Sequence, residues 1–435
     1  ASGGTLSLTP LETTPRDAEP RKALGIDDRG RVFGTTSLIS LSHGGGQSTG
    51  SFIQTPLCAE ENLDFITNAG SEIQISDLKG ELAVGFAQRV NSSTGHTDFY
   101  PMFINLQSPG RSPQYVPTKH TLGEEDLVNY PAVLSDSGIM VTTFPIGDEL
   151  NHQLHLRICD LRSVVDFNGG IPGGVLPDCK GFSNVVIPSQ HHGPYVIEGE
   201  GASPNEEIRQ TRAVAISGNM LVVAAKVYNP DVYTNNSRIR PYLVELEGDP
   251  ADFTFRRGIL NAIDVNDGLN LENYDVVPVA LNTRTANGAT FHDVIAYTRE
   301  IDPDDGGGLE TLPPIDYFLF EQAQDGTYVR QYLFTNDGRE VNFDGIRFKR
   351  PRAKGIDRWG DILVEANEVD GMGSTAHLLK RIVPLEDESE VTPTTCPIAP
   401  CPLNDACCRS DLNGDRSVNF PDLNALLDQW GHTCN

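Results

Sequence analysis

Oxygen-bearing side chains recur at short intervals near the C-terminus of the chain, between residues 411 and 422. This segment reads DLNGDRSVNFPD, with acidic or amide side chains at its positions 1, 3, 5, 9 and 12. A hard cation such as Ca²⁺ takes roughly six to eight oxygen ligands, and a loop with this spacing presents them in one turn. We therefore predict a calcium site, with one ligand a backbone carbonyl, at Asp411, Asn413, Asp415, Ser417, Asn419 and Asp422.

A short amphipathic helix is predicted directly after this loop. Its apolar positions are Leu423, Leu426, Leu427 and Trp430. They follow the i, i+3, i+4, i+7 spacing of one helical face, and Gly431 is a typical helix-ending residue. Cys408 and Cys434 bracket the unit and are candidates for a disulfide that joins its ends.

Residues 408–434 resemble a type I dockerin repeat, in the cysteine-flanked form that ends in Trp-Gly. The resemblance implies calcium binding and attachment to a cohesin-like partner. Two features depart from it: Arg416 stands at loop position 6, which is usually Gly, and residues 387–407 contain no second calcium loop. The alternative is that calcium only folds a small disulfide-stapled cap.

Other residues with metal-binding or catalytic potential form weaker patterns. His152 and His155 lie in a strand-like segment, where residues i and i+3 face opposite sides of the sheet. His191 and His192 lie in a Pro- and Gly-flanked loop, and the acidic segments 264–273 and 301–310 lack calcium-loop spacing. No nucleophile elbow, HExxH helix or phosphate-binding loop is present. We therefore predict no catalytic residue and no cofactor other than Ca²⁺.

The remaining residues, which must form the scaffold, are predicted to be β-rich. Short apolar runs end at turns such as Asp-x-x-Gly or Ser-Gly, and a second strand rich in aromatic or branched residues follows. The paired segments are 23–34, then 73–86 with 99–106, 131–144 with 152–161, 213–224 with 240–248, 291–298 with 316–322, and 353–364 with 377–386. Units that repeat in this way favour radial stacking, because one sheet cannot bury both of its faces alone.

We predict an all-β body at residues 1–386, a β-propeller of about six blades. The N-terminal strand at residues 4–12 is expected to complete the last blade beside residues 378–386. The segment ALGIDDRGRVFG resembles repeats of bacterial extracellular proteins, and this resemblance implies a propeller-like fold without an activity. A pair of β-sandwiches is the alternative. Residues 387–407 are assigned to an acidic, Pro- and Cys-rich linker, and residues 408–435 to the small α-helical calcium module.

Charge and cysteine content narrow the function. The net charge is −27, which argues against nucleic acid as a partner, and no apolar run is long enough to insert into a membrane. Eight cysteines, five of them in the last 40 residues, favour disulfides and therefore a secreted or cell-surface protein. Cys159 with Cys179 is a plausible local pair, and Cys58 is expected to pair with the tail. The small residues at positions 1–4 resemble a signal-peptidase product.

Three hypotheses for function follow. The main one is a secreted, non-enzymatic binding or scaffold protein that is anchored through the calcium-binding tail to a cohesin-like or other extracellular protein. The second is a subunit of a self-assembling filament or surface layer. The third is a polysaccharide-active hydrolase or lyase with a glycan as its ligand. Convergent acids or histidines in a central channel would favour the enzyme, whereas flat apolar patches would favour the scaffold.

Overall fold

The structure of the chain is a computed structural model. It describes residues 6–10, 21–27, 30–39, 47–54, 63–66, 73–90, 97–106, 113–115, 131–146, 153–161, 178–180, 207–228, 238–247, 254–256, 274–286, 288–300, 313–343, 346–358, 360–368 and 374–381. These residues form strands and turns, and they include no helix long and apolar enough to cross a membrane. The predicted linker, calcium loop and C-terminal helix lie outside this part of the chain.

Six antiparallel sheets make up the described structure. Sheet 1 holds β2 (Arg21–Ile26), β3 (Val32–Ile39), β4 (Gln47–Gln54) and β5 (Leu63–Ile66). Sheet 2 holds β6 (Ile73–Lys79), β7 (Leu82–Val90), β8 (Thr97–Asn105) and β9 (Gln114–Tyr115). Sheet 3 holds β10 (Val133–Leu134), β11 (Ile139–Ile146), β12 (Gln153–Asp160) and β13 (Asp178–Lys180).

Sheets 4 and 5 follow the same order, and sheet 6 differs in its edge strands. Sheet 4 holds β14 (Glu207–Ser217), β15 (Met220–Tyr228), β16 (Arg238–Glu247) and β17 (Thr254–Arg256). Sheet 5 holds β18 (Tyr274–Ala286), β19 (Ala289–Glu300), β20 (Asp316–Gln322) and β21 (Tyr328–Thr335). Sheet 6 holds β22 (Glu340–Phe343), β23 (Ile346–Ile356), β24 (Ile362–Glu368), β25 (Ser374–Arg381) and β1 (Leu6–Pro10).

The N-terminal strand completes the last sheet, as the sequence predicts. β1 pairs antiparallel with β25, with Leu6 opposite Arg381 and Pro10 opposite His377. The outer edge of sheet 6 is therefore provided by the opposite end of the chain. This pairing joins the two ends of the described body in one five-stranded sheet.

One turn type recurs in three sheets: it joins β2 to β3, β10 to β11 and β23 to β24. In sheet 1, the Asp27 carboxylate accepts the Arg31 N–H at 2.7 Å, and the Gly30 N–H donates to the Asp27 carbonyl at 2.9 Å. The same bonds form around Ser135 in sheet 3 and Asp357 in sheet 6. The glycine in each turn has a positive φ, 76° at Gly30, which a side chain would disfavour. The Asp-x-x-Gly pattern of the sequence is thus a real structural repeat.

One strand of each sheet contacts the corresponding strand of the next sheet, and together these six strands form a ring. β2 contacts β6, β6 contacts β10, and the series continues through β14, β18 and β23 back to β2. This is the arrangement of a β-propeller, and the prediction of an all-β, propeller-like body is confirmed. Apolar side chains fill the spaces between neighbouring sheets, as where Phe86 of sheet 2 and Leu134 of sheet 3 share one buried cluster.

The fifth unit departs from the sequence prediction. The sequence pattern predicts that residues 291–298 begin this unit, but they belong to its second strand, β19. The first strand of sheet 5 is β18, at residues 274–286. The sequence pattern does not detect β18 because this unit has no Asp-x-x-Gly sequence between its first two strands and has Asn-Gly at 287–288 instead. Gly288 has a φ of 73°.

Candidate functional site

A cavity of about 570 Å³ lies where the first strands of the six sheets converge. Every sheet contributes to its wall, sheet 6 through β23 and sheet 3 through residues at and just before β10. We call this cavity the central channel. Its volume lies within the roughly 300–1,000 Å³ range of sites for small ligands. The channel is therefore the candidate functional site.

The wall of the channel carries charge from four sheets. Among the described wall residues, the ionisable side chains other than two tyrosines are Asp77, Lys79, Arg212, Arg299, Arg352 and Lys354. Five of these six side chains are cationic and one is acidic. Four of the five cations come from sheets 4, 5 and 6, which follow one another around the ring. One side of the channel is consequently rich in positive charge.

Asp77, the carboxylate among the described wall residues, has a structural role. Its Oδ1 accepts the Leu78 N–H and its Oδ2 accepts the Leu134 N–H, each at 2.8 Å. The second bond crosses from sheet 2 to sheet 3. The neighbouring Ser76 hydroxyl also crosses, donating to the Ala132 carbonyl at 2.6 Å. Both oxygens of the Asp77 carboxylate therefore already accept backbone hydrogen bonds, and one of these bonds holds two sheets together.

Arg299 reaches the channel from β19 and forms a buried ion pair. Its Nε lies 3.1 Å from Oδ2 of Asp275, and both side chains are at most 9% exposed. Oδ1 of Asp275 accepts the Ile239 N–H of β16 at 2.8 Å. Asp275 therefore orients the guanidinium of Arg299 and also joins sheet 5 to sheet 4.

Arg352 and Lys354 lie two residues apart on β23. Lys354 Nζ pairs with Glu365 Oε2 on the adjacent β24 at 3.0 Å, with both side chains largely buried. Arg352, by contrast, is exposed. Both residues line the cavity, so that sheet 6 presents one neutralised cation and one solvent-accessible cation to the channel.

Two tyrosines line the same region. The rings of Tyr297 and Tyr317 have centroids 5.4 Å apart, and Phe334 packs on the other side of Tyr317 at 5.0 Å. Burial, with a smaller contribution from Tyr297, raises the pKa of Tyr317 well above its ordinary value, while Arg352 acts in the opposite direction. The phenol of Tyr317 therefore stays protonated at neutral pH and is a proton donor rather than a base.

Together these groups suit an anionic or highly hydroxylated ligand. Arginine binds planar anions through paired N–H groups, and the polar wall offers hydrogen bonds to hydroxyl groups. Paired carboxyl groups of the kind used for glycoside hydrolysis are absent from the described wall of the channel. The described part of the chain also has no cluster of three or more His, Cys, Asp or Glu residues that would hold a metal ion.

The site residues predicted from sequence are not among the described residues of the channel wall. The calcium-loop residues 411–422, Cys408, Cys434, His191, His192 and the acidic segments 264–273 and 301–310 are outside the described residues. His155 is in β12, a strand as expected. Cys159 is disulfide-bonded, and Cys179 is its register partner across β12 and β13. The pairing of these two cysteines stays a prediction that the register favours.

The cationic wall was missed by the sequence analysis, although the repeat contains a signal for it. In three of the six units a basic residue directly precedes the alanine that begins the apolar lead: Lys22 before Ala23, Arg212 before Ala213, and Arg352 before Ala353. A basic residue repeated at the start of an apolar strand would not contribute to the core. Aligning the repeats with one another would have placed these residues on the strands that form the ring.

Comparison with known proteins gives structural neighbours only. No protein-family model matches the chain, and no curated protein matches it. Similar solved structures include polysaccharide lyase Uly1, at 10% identity and a TM-score of 0.38, covering 86% of this chain and 91% of that one. A glycoside hydrolase has 10% identity and a TM-score of 0.34, covering 85% and 93%. A Trypanosoma rangeli sialidase in complex with sialic acid has 9% identity and a TM-score of 0.37, covering 88% and 59%.

The similar structures bear on the main functional hypothesis. They include glycoside hydrolases, sialidases, an arabinanase and a polysaccharide lyase, and this finding contradicts the prediction of a non-enzymatic binding or scaffold protein. At this identity and TM-score the likeness itself establishes the fold alone. The prediction was wrong for a physical reason: it treated the lack of a sequence motif as the lack of a site. In a ring of sheets, a site is assembled from residues that are far apart along the chain.

Proposed function

We propose that this protein is a carbohydrate-active enzyme, a polysaccharide hydrolase or lyase, with its site in the central channel. The observation that carries the proposal is the convergence of ionisable and tyrosine side chains from several sheets on one cavity. This hypothesis was the third one raised by the sequence.

Convergent charge is a better sign of a ligand site than of a scaffold. Charged groups in a recess cost stability, and a fold retains them where they are neutralised or bind something. A scaffold would instead present broad apolar patches. Among the described residues, the large apolar side chains with high exposure are Val329 and Tyr332. These two residues are at positions i and i+3 of β21 and face opposite sides of the sheet, so they do not form a patch of the area of a stable protein interface.

The described wall contains part of what an elimination reaction needs. Elimination from an acidic sugar requires a cation near the acid group, a proton donor and a proton acceptor. Arg352 supplies the cation and Tyr317 a proton donor, and the proton acceptor would come from outside the described wall. Both carboxyl groups of a hydrolase would likewise come from outside it, since Asp77 is committed to backbone hydrogen bonds.

The test is an activity screen that separates the two reactions. The purified full-length protein is incubated with a panel of neutral and acidic polysaccharides, and new reducing ends are measured together with ultraviolet absorbance of an unsaturated product. Hydrolysis gives reducing ends alone, whereas elimination gives both signals. We expect a Lys354→Gln variant to reduce kcat/KM at least about tenfold, because the lysine lines the channel.

Lys349→Gln is the matched control. Lys349 lies on the same strand, is half exposed and pairs with Glu340 at 3.7 Å outside the channel. Its kcat/KM should stay within about twofold of the wild type, as is usual for an exposed ion pair. Absence of both products from every polysaccharide in the panel would show that the proposal is wrong.

We further propose that the tail at residues 408–435 binds Ca²⁺ and anchors the enzyme to a cohesin-like protein outside the cell. The spacing of the oxygen-bearing residues between Asp411 and Asp422 supports this. Calcium titration of the full-length chain, with chelator-treated protein as the reference, should show one site that Asp415→Ala removes. Unchanged calcium binding by this variant would contradict the ligand assignment.

A further inference from the structure

The charge of the central channel is opposite to that of the chain. The protein has a net charge of −27, yet the channel wall carries five cationic side chains and one carboxylate. That carboxylate, Asp77, already accepts two backbone hydrogen bonds. Acidic residues elsewhere have little influence here, because salt screens charges beyond about 8 Å at physiological ionic strength. The local cations therefore determine which ligands the channel attracts.

The cations differ in how far they are already neutralised. Arg299 faces Asp275, and Lys354 faces Glu365. Arg352 is exposed, and it shares the wall with these two pairs. In the part of the chain that the structure describes, Arg352 and Tyr317 line the same cavity. Arg352 is thus the cation best placed to meet a ligand.

Arg212 extends this positive side of the channel. It is 7% exposed and lies on β14, the first strand of sheet 4, whereas Arg299 belongs to sheet 5 and Arg352 to sheet 6. Since these sheets are consecutive in the ring, the three guanidinium groups follow one arc of the wall. An arc of arginines in a recess, where water is partly excluded, binds an oxyanion more strongly than the same groups on an open surface.

We propose that the channel binds an acidic sugar unit, with Arg352 as the principal binding residue for its anionic group. The anionic group is a uronate carboxylate or a sulfate ester, both of which present two or more oxygens to a guanidinium. The cavity, at about 570 Å³, accommodates a short stretch of saccharide. This inference rests on the proposed function, since it names the substrate class of the same site.

The test measures binding by calorimetry with three oligosaccharides of equal length: a polyuronate, a sulfated oligosaccharide and a neutral one. We expect an acidic oligosaccharide to bind the full-length protein, with binding that weakens as NaCl is raised. Arg352→Gln should weaken that binding by about 10- to 100-fold, the usual effect of losing a charge-assisted hydrogen-bonded pair. Arg352→Lys should lose less affinity, because lysine keeps the positive charge but lacks the paired N–H groups of a guanidinium.

Arg347→Gln is the matched control. Arg347 is also on β23, pairs with Glu340 at 3.3 Å and is nearly half exposed, but does not line the channel. Its variant should bind like the wild type. Methyl-esterified polyuronate and desulfated oligosaccharide then identify the source of the anionic group, because removing the recognised group abolishes binding.

Two results would overturn the inference, and they differ in what else they reject. If the neutral oligosaccharide binds as tightly as the acidic ones and Arg352→Gln has no effect, the acidic-sugar inference is wrong while the carbohydrate-active function stands. If no saccharide is bound or cleaved, both proposals are wrong.

Discussion

Replacing Asp275 by alanine should destabilise the propeller more than removal of any exposed ion pair. Oδ2 of Asp275 faces Arg299 Nε at 3.1 Å, and Oδ1 accepts the Ile239 N–H at 2.8 Å. Both partners of the ion pair are at most 9% exposed. The variant removes the carboxylate that Arg299 faces in the interior and one hydrogen bond between sheets 4 and 5.

The expected loss is about 3–5 kcal/mol of unfolding free energy, the usual cost of removing one partner of a buried ion pair. The lost backbone bond is included in this range rather than added, because contributions that share one side chain are not additive. A typical domain has only about 5–15 kcal/mol in total, so the loss should be easy to measure. Urea unfolding is followed by fluorescence. If the wild type and the variant have the same m value, the slope of unfolding free energy against urea concentration, the shift in midpoint gives the difference in stability.

Glu340→Ala provides the reference for an exposed pair. Glu340 contacts Arg347 at 3.3 Å and Lys349 at 3.7 Å, and all three side chains are roughly half exposed. Its loss should cost no more than about 1 kcal/mol. A double variant, Asp275→Leu with Arg299→Met, should lose less than the sum of its single variants, since it leaves no charge in the interior. The reasoning is refuted if Asp275→Ala costs no more than Glu340→Ala.

Two further predictions concern a close backbone approach and a buried phenol. A Cβ on Gly85 would lie 1.9 Å from the Gln74 carbonyl oxygen, so Gly85→Ala should lower the free energy of unfolding by about 1–3 kcal/mol or more. Gly218 has a φ of +59° but open space around it, so Gly218→Ala should cost about 1 kcal/mol. Equal melting temperatures of the two variants would contradict this. Burial raises the pKa of Tyr317 above its ordinary 10.0, so above that pH the unfolded chain loses a proton that the folded chain keeps, and stability falls as pH rises. Stability curves from pH 9 to 12 should be flatter for Tyr317→Phe, by up to about 1.4 kcal/mol per pH unit, and identical slopes would reject the assignment.

Fold class could be read from the sequence because each sheet carries its own local signals. The Asp-x-x-Gly turns at Gly30 and Gly360 and the Ser-x-x-Gly turn at Gly138 have a glycine with a positive φ, and apolar runs flank them. These are short-range requirements, so a linear pattern records them. The pairing of β1 with β25 was also predictable, since the last unit lacked an outer strand and the N-terminus offered an unassigned one. Where the turn chemistry changed, at Asn287-Gly288, the leading strand β18 was missed.

The candidate site could not be read in the same way. Lys79, Arg212, Arg299 and Arg352 are separated by many tens of residues, and they belong to four different sheets. Only closure of the ring brings their strands to one cavity, so no short motif records their proximity. Whether a given charge is neutralised is also a tertiary matter, since Arg299 meets Asp275 of another strand while Arg352 stays exposed.

The amino-acid sequence thus determined the strands, the turns and the order of the sheets, because these depend on residues that are neighbours in the chain. It also determined the acidic character of the protein and the calcium-loop spacing of its tail. The tertiary structure alone decided that basic residues from four sheets would meet in a cationic channel. Ring closure converts residues that are distant along the chain into neighbours, and the chemistry of the site follows from that convergence.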